Sequence, residues 1–221
     1  MSTRVKICGL RSEAALDAAV EAGADLVGFV LYAKSPRNVS LAEAAALVRH
    51  ARAQGSVKTV TLLVDPEDAL VDSVAADIQP DFLQLHGHET PERVAEIRKR
   101  SGLFVIKAVP VATEDEVAAA LPYLAPGRAS VLLFDAKPPA DPTALPGGNG
   151  LAFDWHILAA ARGQAPFALA GGLTPENVAA AIALTGAAIV DVSSGVESRP
   201  GEKDPELIHR FLRAAKAAKQ S

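Results

Sequence analysis

Residues 4–31, RVKICGLRSEAALDAAVEAGADLVGFVL, contain a complete β–α–β unit in one stretch. The apolar run Arg4–Cys8 predicts a strand, the Ala-rich segment Glu13–Ala22 predicts a helix, and Asp25–Leu31 predicts a second strand. Gly23 follows the helix, at a position where a left-handed residue commonly ends one. Because both strands are apolar on both faces, the stretch is typical of a parallel sheet covered by helices.

The same alternation continues along the chain. Further strands are predicted at Lys58–Val64, Asp81–His86, Leu103–Val109, Ser130–Asp135, Pro166–Ala170 and Ala188–Val192. Further helices are predicted at Leu41–Ala53, Pro66–Ala76, Pro91–Arg100, Glu114–Leu124, Asp154–Ala161, Pro175–Thr185 and Pro205–Lys219. Four helix starts carry capping signals, which are Ser40 with Glu43, Thr113 with Glu116, Thr90-Pro91 and Thr174-Pro175.

Eight such units in 221 residues fit two closures, a (β/α)₈ barrel or an open doubly wound sheet. The barrel is favoured because the unit count is eight and because unusual polar residues end strands along the whole chain. An open sheet would concentrate those residues near one switch point. We therefore predict an α/β fold, a single (β/α)₈ TIM barrel domain over residues 1–221. Two loops are long, Tyr32–Val39 and Lys137–Ala152, and loops of the second length are usually functional or disordered.

Composition limits the classes of partner. The net charge of −4, without a basic stripe, argues against nucleic acid. A single cysteine excludes an internal disulfide and fits a reducing compartment. No signal-like segment is present, and no apolar run nears the ~18 residues that a membrane span needs. We expect a cytoplasmic protein with no membrane partner and no metal, and the oligomeric state stays open between monomer and homodimer.

Two ionisable residues end strands, Cys8 on the first and Asp135 on the sixth. In a barrel both would point into the space at the carboxyl face, where barrel enzymes have their active sites. Cys8 has two interpretations: a buried small hydrophobe, or a general base once a nearby positive charge lowers its pKa. Asp135 is either a cap for the following turn or a partly desolvated proton donor. Position at the strand ends favours the acid/base pair.

Glycine clusters after the last two strands predict a phosphate site. Ala170-Gly171-Gly172-Leu173 ends strand seven, and Ser193-Ser194-Gly195 ends strand eight. Barrels commonly bind phosphate there through backbone N–H groups. Gly147-Gly148-Asn149-Gly150 is a candidate for a third wall of the same site.

Further polar residues lie near the same face. Arg37, in the loop after strand two, is either a clamp for an anionic or aromatic substrate or a solvated loop side chain. His86 ends strand four. Lys6 shares a strand face with Cys8, and Asp191 shares one with the first serine of the eighth strand end. If strands one and eight are neighbours, Lys6 and Asp191 form an interior ion pair beneath the site, with Lys6 also able to stabilise a Cys8 thiolate.

Together these motifs resemble the phosphoribosylanthranilate isomerases, (β/α)₈ enzymes of tryptophan biosynthesis, over nearly the whole chain. The matching segments are Lys6-Ile7-Cys8-Gly9, Gly28-Phe29-Val30, Ser35-Pro36-Arg37, Gln84-Leu85-His86-Gly87, Phe134-Asp135, Gly147-Gly148-Asn149-Gly150, Phe153-Asp154-Trp155, Ala170-Gly171-Gly172-Leu173, Asp191-Val192-Ser193-Ser194-Gly195-Val196-Glu197 and Pro200-Gly201-Glu202-Lys203-Asp204. The start Lys6-Ile7-Cys8-Gly9 and the later segment Ser193-Ser194-Gly195-Val196-Glu197 are specific for the family in combination. Neither would be specific alone.

The resemblance implies an Amadori rearrangement of N-(5-phospho-β-D-ribosyl)anthranilate to 1-(2-carboxyphenylamino)-1-deoxy-D-ribulose 5-phosphate. It needs no metal or organic cofactor, because the iminium formed on ring opening is itself the electron sink. By the resemblance, Cys8 is the general base and Asp135 the general acid. The resemblance also implies that the rest of the substrate is bound by Arg37, His86 and Asp191. It implies that the phosphate is held by Gly148, Gly150, Gly171, Gly172, Ser193, Ser194 and Gly195.

The chain departs from the family pattern at two places. Asn149 stands where many members have Ser or Thr, and the stretch Lys137–Leu145 is longer than in compact members. Other functions remain as alternatives. A sugar-phosphate epimerase would need metal-binding histidines and paired aspartates at strand ends, and an indoleglycerol-phosphate synthase would need a lysine acid and a glutamate pair. A non-catalytic sugar-phosphate-binding barrel would need no acid/base pair.

Overall fold

A closed barrel of eight parallel strands, hydrogen-bonded in chain order, forms the centre of the protein. The computed structural model describes residues 3–55, 57–138, 145–161 and 163–218. The strands are β1 Arg4–Cys8, β2 Leu26–Val30, β3 Lys58–Leu63, β4 Phe82–Leu85, β5 Phe104–Val111, β6 Val131–Ala136, β7 Phe167–Leu169 and β8 Ile189–Val192. The predicted (β/α)₈ fold is confirmed, and every predicted strand is present.

Helices alternate with these strands and pack on the outside of the barrel. They are α1 Glu13–Glu21, α2 Leu41–Ala53, α3 Asp68–Ser73, α4 Pro91–Ser101, α5 Glu114–Ala120, α6 Val178–Thr185 and α7 Pro205–Ala217. The chain continues α3 as a π-helix at Val74–Ile78 and α5 as a 3₁₀ helix at Leu121–Leu124. None of the described helices combines the length and the apolar character that a membrane-spanning helix requires.

Two helix predictions are corrected. The segment predicted as an α-helix at Asp154–Ala161 is a 3₁₀ helix at Trp155–Ala161, with the backbone N–H of Ile157 bonded to the carbonyl of Asp154 at 3.3 Å. The helix predicted to begin at Pro175 begins at Val178, because Asn177 bonds the Thr174 amide at 2.8 Å and holds the preceding turn instead. The last predicted helix ends at Ala217. Of the long loop predicted at Lys137–Ala152, residues 139–144 lie outside the described residues.

The side chains inside the barrel change character along the strands. Small and apolar residues fill most of the interior, and they are Leu26, Val60, Ile106, Ala108, Leu133, Ala168, Ala170 and Ile189. At the carboxyl end Cys8 contacts Val30 and Leu62 in a separate small cluster. The register of β1 pairs Lys6 with Leu26 on one side and with Asp191 on the other. Barrel closure therefore brings the polar residues of β1 and β8 together.

A short hairpin follows β8 and was not predicted. It consists of β9 Glu197–Arg199 and β10 Glu202–Lys203, preceded by a 3₁₀ turn at Ser194–Val196. Gly201 in its turn has φ +84°, which a residue with a side chain rarely adopts, and a Cβ there would lie 2.5 Å from the Pro36 carbonyl oxygen. The hairpin thus packs directly against the loop after β2.

Candidate active site

A cleft with about 810 Å³ of empty space opens at the carboxyl ends of the strands. All twelve residues predicted to form the site line it, namely Cys8, Arg37, His86, Asp135, Gly148, Gly150, Gly171, Gly172, Asp191, Ser193, Ser194 and Gly195. The structure therefore brings the predicted residues together, and their individual roles stay predictions.

The predicted ion pair beneath the cleft is confirmed. Lys6 Nζ donates to Asp191 Oδ2 at 2.9 Å, and both side chains are buried. Gly28 on β2 makes room for this arrangement, because a Cβ there would lie 3.0 Å from Cys8 Sγ and 3.2 Å from Lys6 Nζ. The other oxygen of Asp191, Oδ1, is buried with no hydrogen-bond partner among the described residues. Asp191 also lines the cleft, and its role in binding the substrate stays a prediction.

Burial and charge act in opposite directions on Cys8. Burial raises the pKa of the thiol, and the nearby Lys6 and Lys203 ammonium groups only partly oppose it, so the pKa lies above its ordinary value. The expectation that a positive charge makes Cys8 more acidic is corrected, because desolvation together with the negative charge of Asp191 outweighs the lysines. Burial by itself would lower the pKa of Lys6, yet Asp191 and Cys8 raise it above its usual value.

The Asp135 carboxylate has one backbone hydrogen-bond donor and one imidazole close to it. Its Oδ1 accepts from the Ala136 amide at 2.8 Å, and His86 Nε2 lies 3.3 Å from Oδ2. Gln84 Nε2 lies 3.1 Å from His86 Nδ1. If the Gln84 amide donates there, the imidazole proton is on Nε2 and points at Asp135. Asp135 therefore caps its own turn with one oxygen and also lines the cleft, while its role as a proton donor stays a prediction.

The glycine-rich loops pack closely around one end of the cleft. Gly171 and Gly172 have φ values of +86° and +62°, and a Cβ on Gly172 would lie 2.5 Å from the Ala152 amide nitrogen. At Gly195 a Cβ would lie 1.9 Å from the Leu173 carbonyl oxygen. Side chains are excluded at these positions, so the backbone itself forms the wall. Such a wall is suited to binding phosphate through N–H groups.

Arg37 is buried, so the interpretation of a solvated loop side chain is wrong. Its Nε and Nη2 donate to Glu197 Oε1 and Oε2 at 2.7 and 2.8 Å, and Nη2 also reaches the Gly148 carbonyl at 3.3 Å. Burial would raise the pKa of Glu197, but Arg37 and Lys203 outweigh it and hold the pKa below its ordinary value. Glu197 is thus an ionised partner that the sequence did not identify.

Lys203 links the same carboxylate to the carboxyl end of β1. Its Nζ lies 2.7 Å from Glu197 Oε1 and donates to the Ser193 carbonyl at 2.9 Å. Ser193 Oγ in turn donates to the Cys8 carbonyl at 3.1 Å. The hairpin β9–β10 is therefore connected to the Cys8 backbone through two polar contacts.

An apolar wall near Cys8 was also missed. Val30, Tyr32, Leu62 and Val64 line the cleft at the ends of β2 and β3. The sequence could have predicted this wall from the two-residue period of the strands, which places the four side chains on the face that points into the barrel. The cleft therefore has an apolar side as well as a glycine-rich side.

Comparison with known proteins agrees with this geometry. The family model of N-(5'phosphoribosyl)anthranilate (PRA) isomerase matches residues 5–214. The chain belongs to this family. An N-(5'-phosphoribosyl)anthranilate isomerase from Parvibaculum lavamentivorans is 51% identical over 219 residues, which cover 99% of this chain and 100% of the relative.

Solved structures of the phosphoribosylanthranilate isomerase family have the same fold. One from Thermotoga maritima is 38% identical with a TM-score of 0.85, covering 97% of this chain and 98% of that chain. Another, in complex with reduced 1-(o-carboxyphenylamino)-1-deoxyribulose 5-phosphate, is 36% identical with a TM-score of 0.82 and the same coverage. The resemblance drawn from the sequence motifs is confirmed.

The sequence did contain a signal for two residues near the cleft that were not predicted to belong to the site. Glu197 and Lys203 both belong to segments on which the resemblance was based. No role was assigned to them because the hairpin that folds them back onto Arg37 was not predicted. Among the described residues, no group of three or more His, Cys, Asp or Glu is arranged to hold a metal ion.

Proposed function

We propose that the chain catalyses the Amadori rearrangement of N-(5-phosphoribosyl)anthranilate to 1-(2-carboxyphenylamino)-1-deoxyribulose 5-phosphate in tryptophan biosynthesis. The observation that carries this proposal is that Cys8 and Asp135 line one cleft from β1 and β6. A thiol and a carboxyl group so placed are an acid/base pair for two proton transfers on one substrate. The solved relative that holds a reduced form of this product supports the same substrate class.

The two sides of the cleft match the two ends of the substrate. The glycine loops around Gly171 and Gly195 suit the phosphate, and the apolar wall formed by Val30, Leu62 and Val64 suits the aromatic ring. Arg37 supplies a fixed positive charge for the carboxylate of the anthranilate. The ribose then lies between Cys8 and Asp135.

In this arrangement the reaction proceeds by two proton transfers. Asp135 gives a proton to the furanose ring oxygen, the ring C–O bond breaks, and the anthranilate nitrogen supplies the electron pair that makes the iminium. The His86 imidazole and the Ala136 amide then stabilise the resulting carboxylate. Cys8, as the thiolate, removes the proton from C2′, and the electrons of that bond neutralise the iminium to an enolamine. Tautomerisation of the enolamine yields the ketone.

The surroundings of Cys8 affect its strength as a base. A thiol whose pKa is raised by burial is ionised in a smaller fraction of molecules, but its thiolate binds a proton more strongly. Lys6 and Lys203 stabilise the thiolate before the transfer. Because the iminium accepts the electrons, the proposed chemistry uses neither metal nor organic cofactor.

The proposal includes the setting of the reaction. The substrate is a small molecule, and we place the reaction in the cytoplasm because a lone cysteine fits a reducing compartment. A Thermotoga maritima relative is described as dimeric, and for this chain the choice between monomer and homodimer stays a prediction.

Conversion of purified substrate by purified protein tests the function. We expect product to form with the native chain and not with the Cys8→Ala, Asp135→Asn double variant, measured by chromatography. Binding of the substrate without conversion would instead support the non-catalytic sugar-phosphate-binding barrel. Turnover of pentulose phosphates, but not of this substrate, would support an epimerase.

A further inference from the structure

We propose that Glu197 is a positioning residue, which aims the guanidinium of Arg37 at an anionic group of the substrate. This inference rests on the proposed function. It concerns a carboxylate in the hairpin outside the barrel that contacts Arg37 directly and is linked to Ser193 through Lys203.

The first support is the geometry of the pair. Both carboxylate oxygens of Glu197 accept from Arg37, at 2.7 Å from Nε and 2.8 Å from Nη2. A two-point contact of this kind fixes the plane of a guanidinium as well as its position. The Nη1 atom makes no hydrogen bond with a described residue and lies beside Gly148, where a Cβ would be only 2.5 Å from it. The pair therefore leaves the Nη1 donors directed to the glycine loop of the cleft.

The second support is burial. The side chains of Arg37, Glu197 and Lys203 are 7%, 4% and 1% exposed. Water therefore does little to screen their charges, and an ion pair in such a setting holds its geometry strongly. A loop arginine at the surface would instead sample many rotamers before it met a substrate.

The third support is the balance of charge. Arg37 and Lys203 both contact Glu197, so the cluster carries a net charge of +1 (two cations against one anion). This surplus lies beside the cleft, where an anion would be attracted. Lys203 also donates to the Ser193 carbonyl, which fixes the hairpin against the barrel. The Glu197 carboxylate that holds Arg37 is therefore itself fixed in position.

A double-mutant cycle tests the inference, with Arg37→Gln, Glu197→Gln and the double variant. The double variant keeps the net charge of +1 in the cluster, so it stays comparable with the native chain if a single variant is unstable. If Glu197 acts through Arg37, Glu197→Gln lowers kcat/KM about tenfold to a hundredfold, mainly through KM. In the Arg37→Gln background the same change then has less than about a threefold effect.

The control is Glu202→Gln, on the same hairpin, where the carboxylate pairs with Arg199 and both side chains are exposed. It should stay within about twofold of the native chain. Equal activity of Glu197→Gln and Glu202→Gln would overturn the inference. So would a further tenfold loss in the double variant relative to Arg37→Gln, because Glu197 would then act independently of Arg37.

Binding measurements separate this inference from the proposed function. The reduced product analogue is titrated by calorimetry against the same four proteins, and a cycle in Kd needs no turnover. Calorimetric dissociation constants for anthranilate and for inorganic phosphate then identify the anion. Weaker anthranilate binding in Glu197→Gln indicates the carboxylate, weaker phosphate binding indicates the phosphate, and no change in either contradicts the inference. A native chain that binds the analogue but does not turn over substrate contradicts only the function.

Discussion

The pKa of the Cys8 thiol is determined by opposing electrostatic effects. Its thiol is buried at the end of β1, with Lys6 below it on the same strand face and Lys203 contributing a second positive charge. Burial and the negative charge of Asp191 favour the neutral thiol, and the lysines favour the thiolate. The net direction is a raised pKa, so the thiol is ionised in a smaller fraction of molecules than an ordinary cysteine.

Replacing Cys8 by alanine tests its role as the base. We expect kcat to fall by about 10²–10⁴-fold with little change in KM, because a proton-transfer group acts on the transition state. Steady-state kinetics on the purified variant, with circular dichroism to check folding, measures this. A loss below tenfold would assign the base to another group.

The pH profile tests the raised pKa. The base must be the thiolate in the free enzyme, so kcat/KM should rise with pH as Cys8 ionises, and the rise should lie above the ordinary range of a cysteine. The measurement is kcat/KM across the neutral and alkaline range at constant ionic strength. A midpoint below the ordinary thiol value would mean that the lysines outweigh burial.

At the scale of single residues, sequence could predict identity and location but not environment. The two-residue period of strands was enough to place Lys6 against Asp191, because barrel closure makes β1 and β8 neighbours. The net effect on Cys8 was not predictable, since it depends on how fully the loops cover the thiol. Glu197 was missed because the hairpin that brings it against Arg37 was not predicted.

Among the elements, the loop between β4 and α4 depends on a buried ion pair that the proposed mechanism does not use. Glu89 and Lys107 are 2.7 Å apart, with side chains 2% and 3% exposed. The Glu89 carboxylate also accepts from the amides of Asp65 and Gly87. One carboxylate therefore joins β5 to the loops that follow β3 and β4, and His86 lies just before it.

Removing the Glu89 carboxylate should strongly reduce the stability of the fold. In Glu89→Ala the Lys107 ammonium stays buried without its partner, so we expect a loss of about 3–5 kcal/mol in the free energy of unfolding. Urea denaturation measures this. The matched control is Glu92→Ala on α4, whose exposed carboxylate pairs with Arg128 and should contribute less than about 1 kcal/mol. Equal losses in both variants would contradict the account.

Sequence predicted the elements unevenly, for physical reasons. Buried parallel strands read as continuous apolar runs, and Ser40 and Glu43 form the expected reciprocal caps at the start of α2. The late start of α6 was not predictable, because the Asn177 side chain competes with the helix through bonds to Thr174 and Gly172. The hairpin β9–β10 has strands too short to show a period.

At the scale of the whole molecule, closure of the barrel makes each unit depend on its neighbours. β1 is hydrogen-bonded to both β2 and β8, so the first and last units are joined. We therefore predict one cooperative unfolding transition for the whole chain. Fluorescence of the sole tryptophan, Trp155, and far-ultraviolet circular dichroism should give the same urea midpoint. Separate midpoints would contradict a single domain.

The central claim is that Cys8 and Asp135 face opposite sides of one sugar whose phosphate lies in the glycine loops. A crystal structure with the reduced product analogue tests it most directly. We expect C2′ within about 3.5 Å of Cys8 Sγ, Asp135 within hydrogen-bond distance of the oxygen that closes the ring, and the phosphate at Gly171 and Gly195. A phosphate bound instead at the apolar wall of Val30 and Leu62, with the sugar away from Cys8, would contradict it.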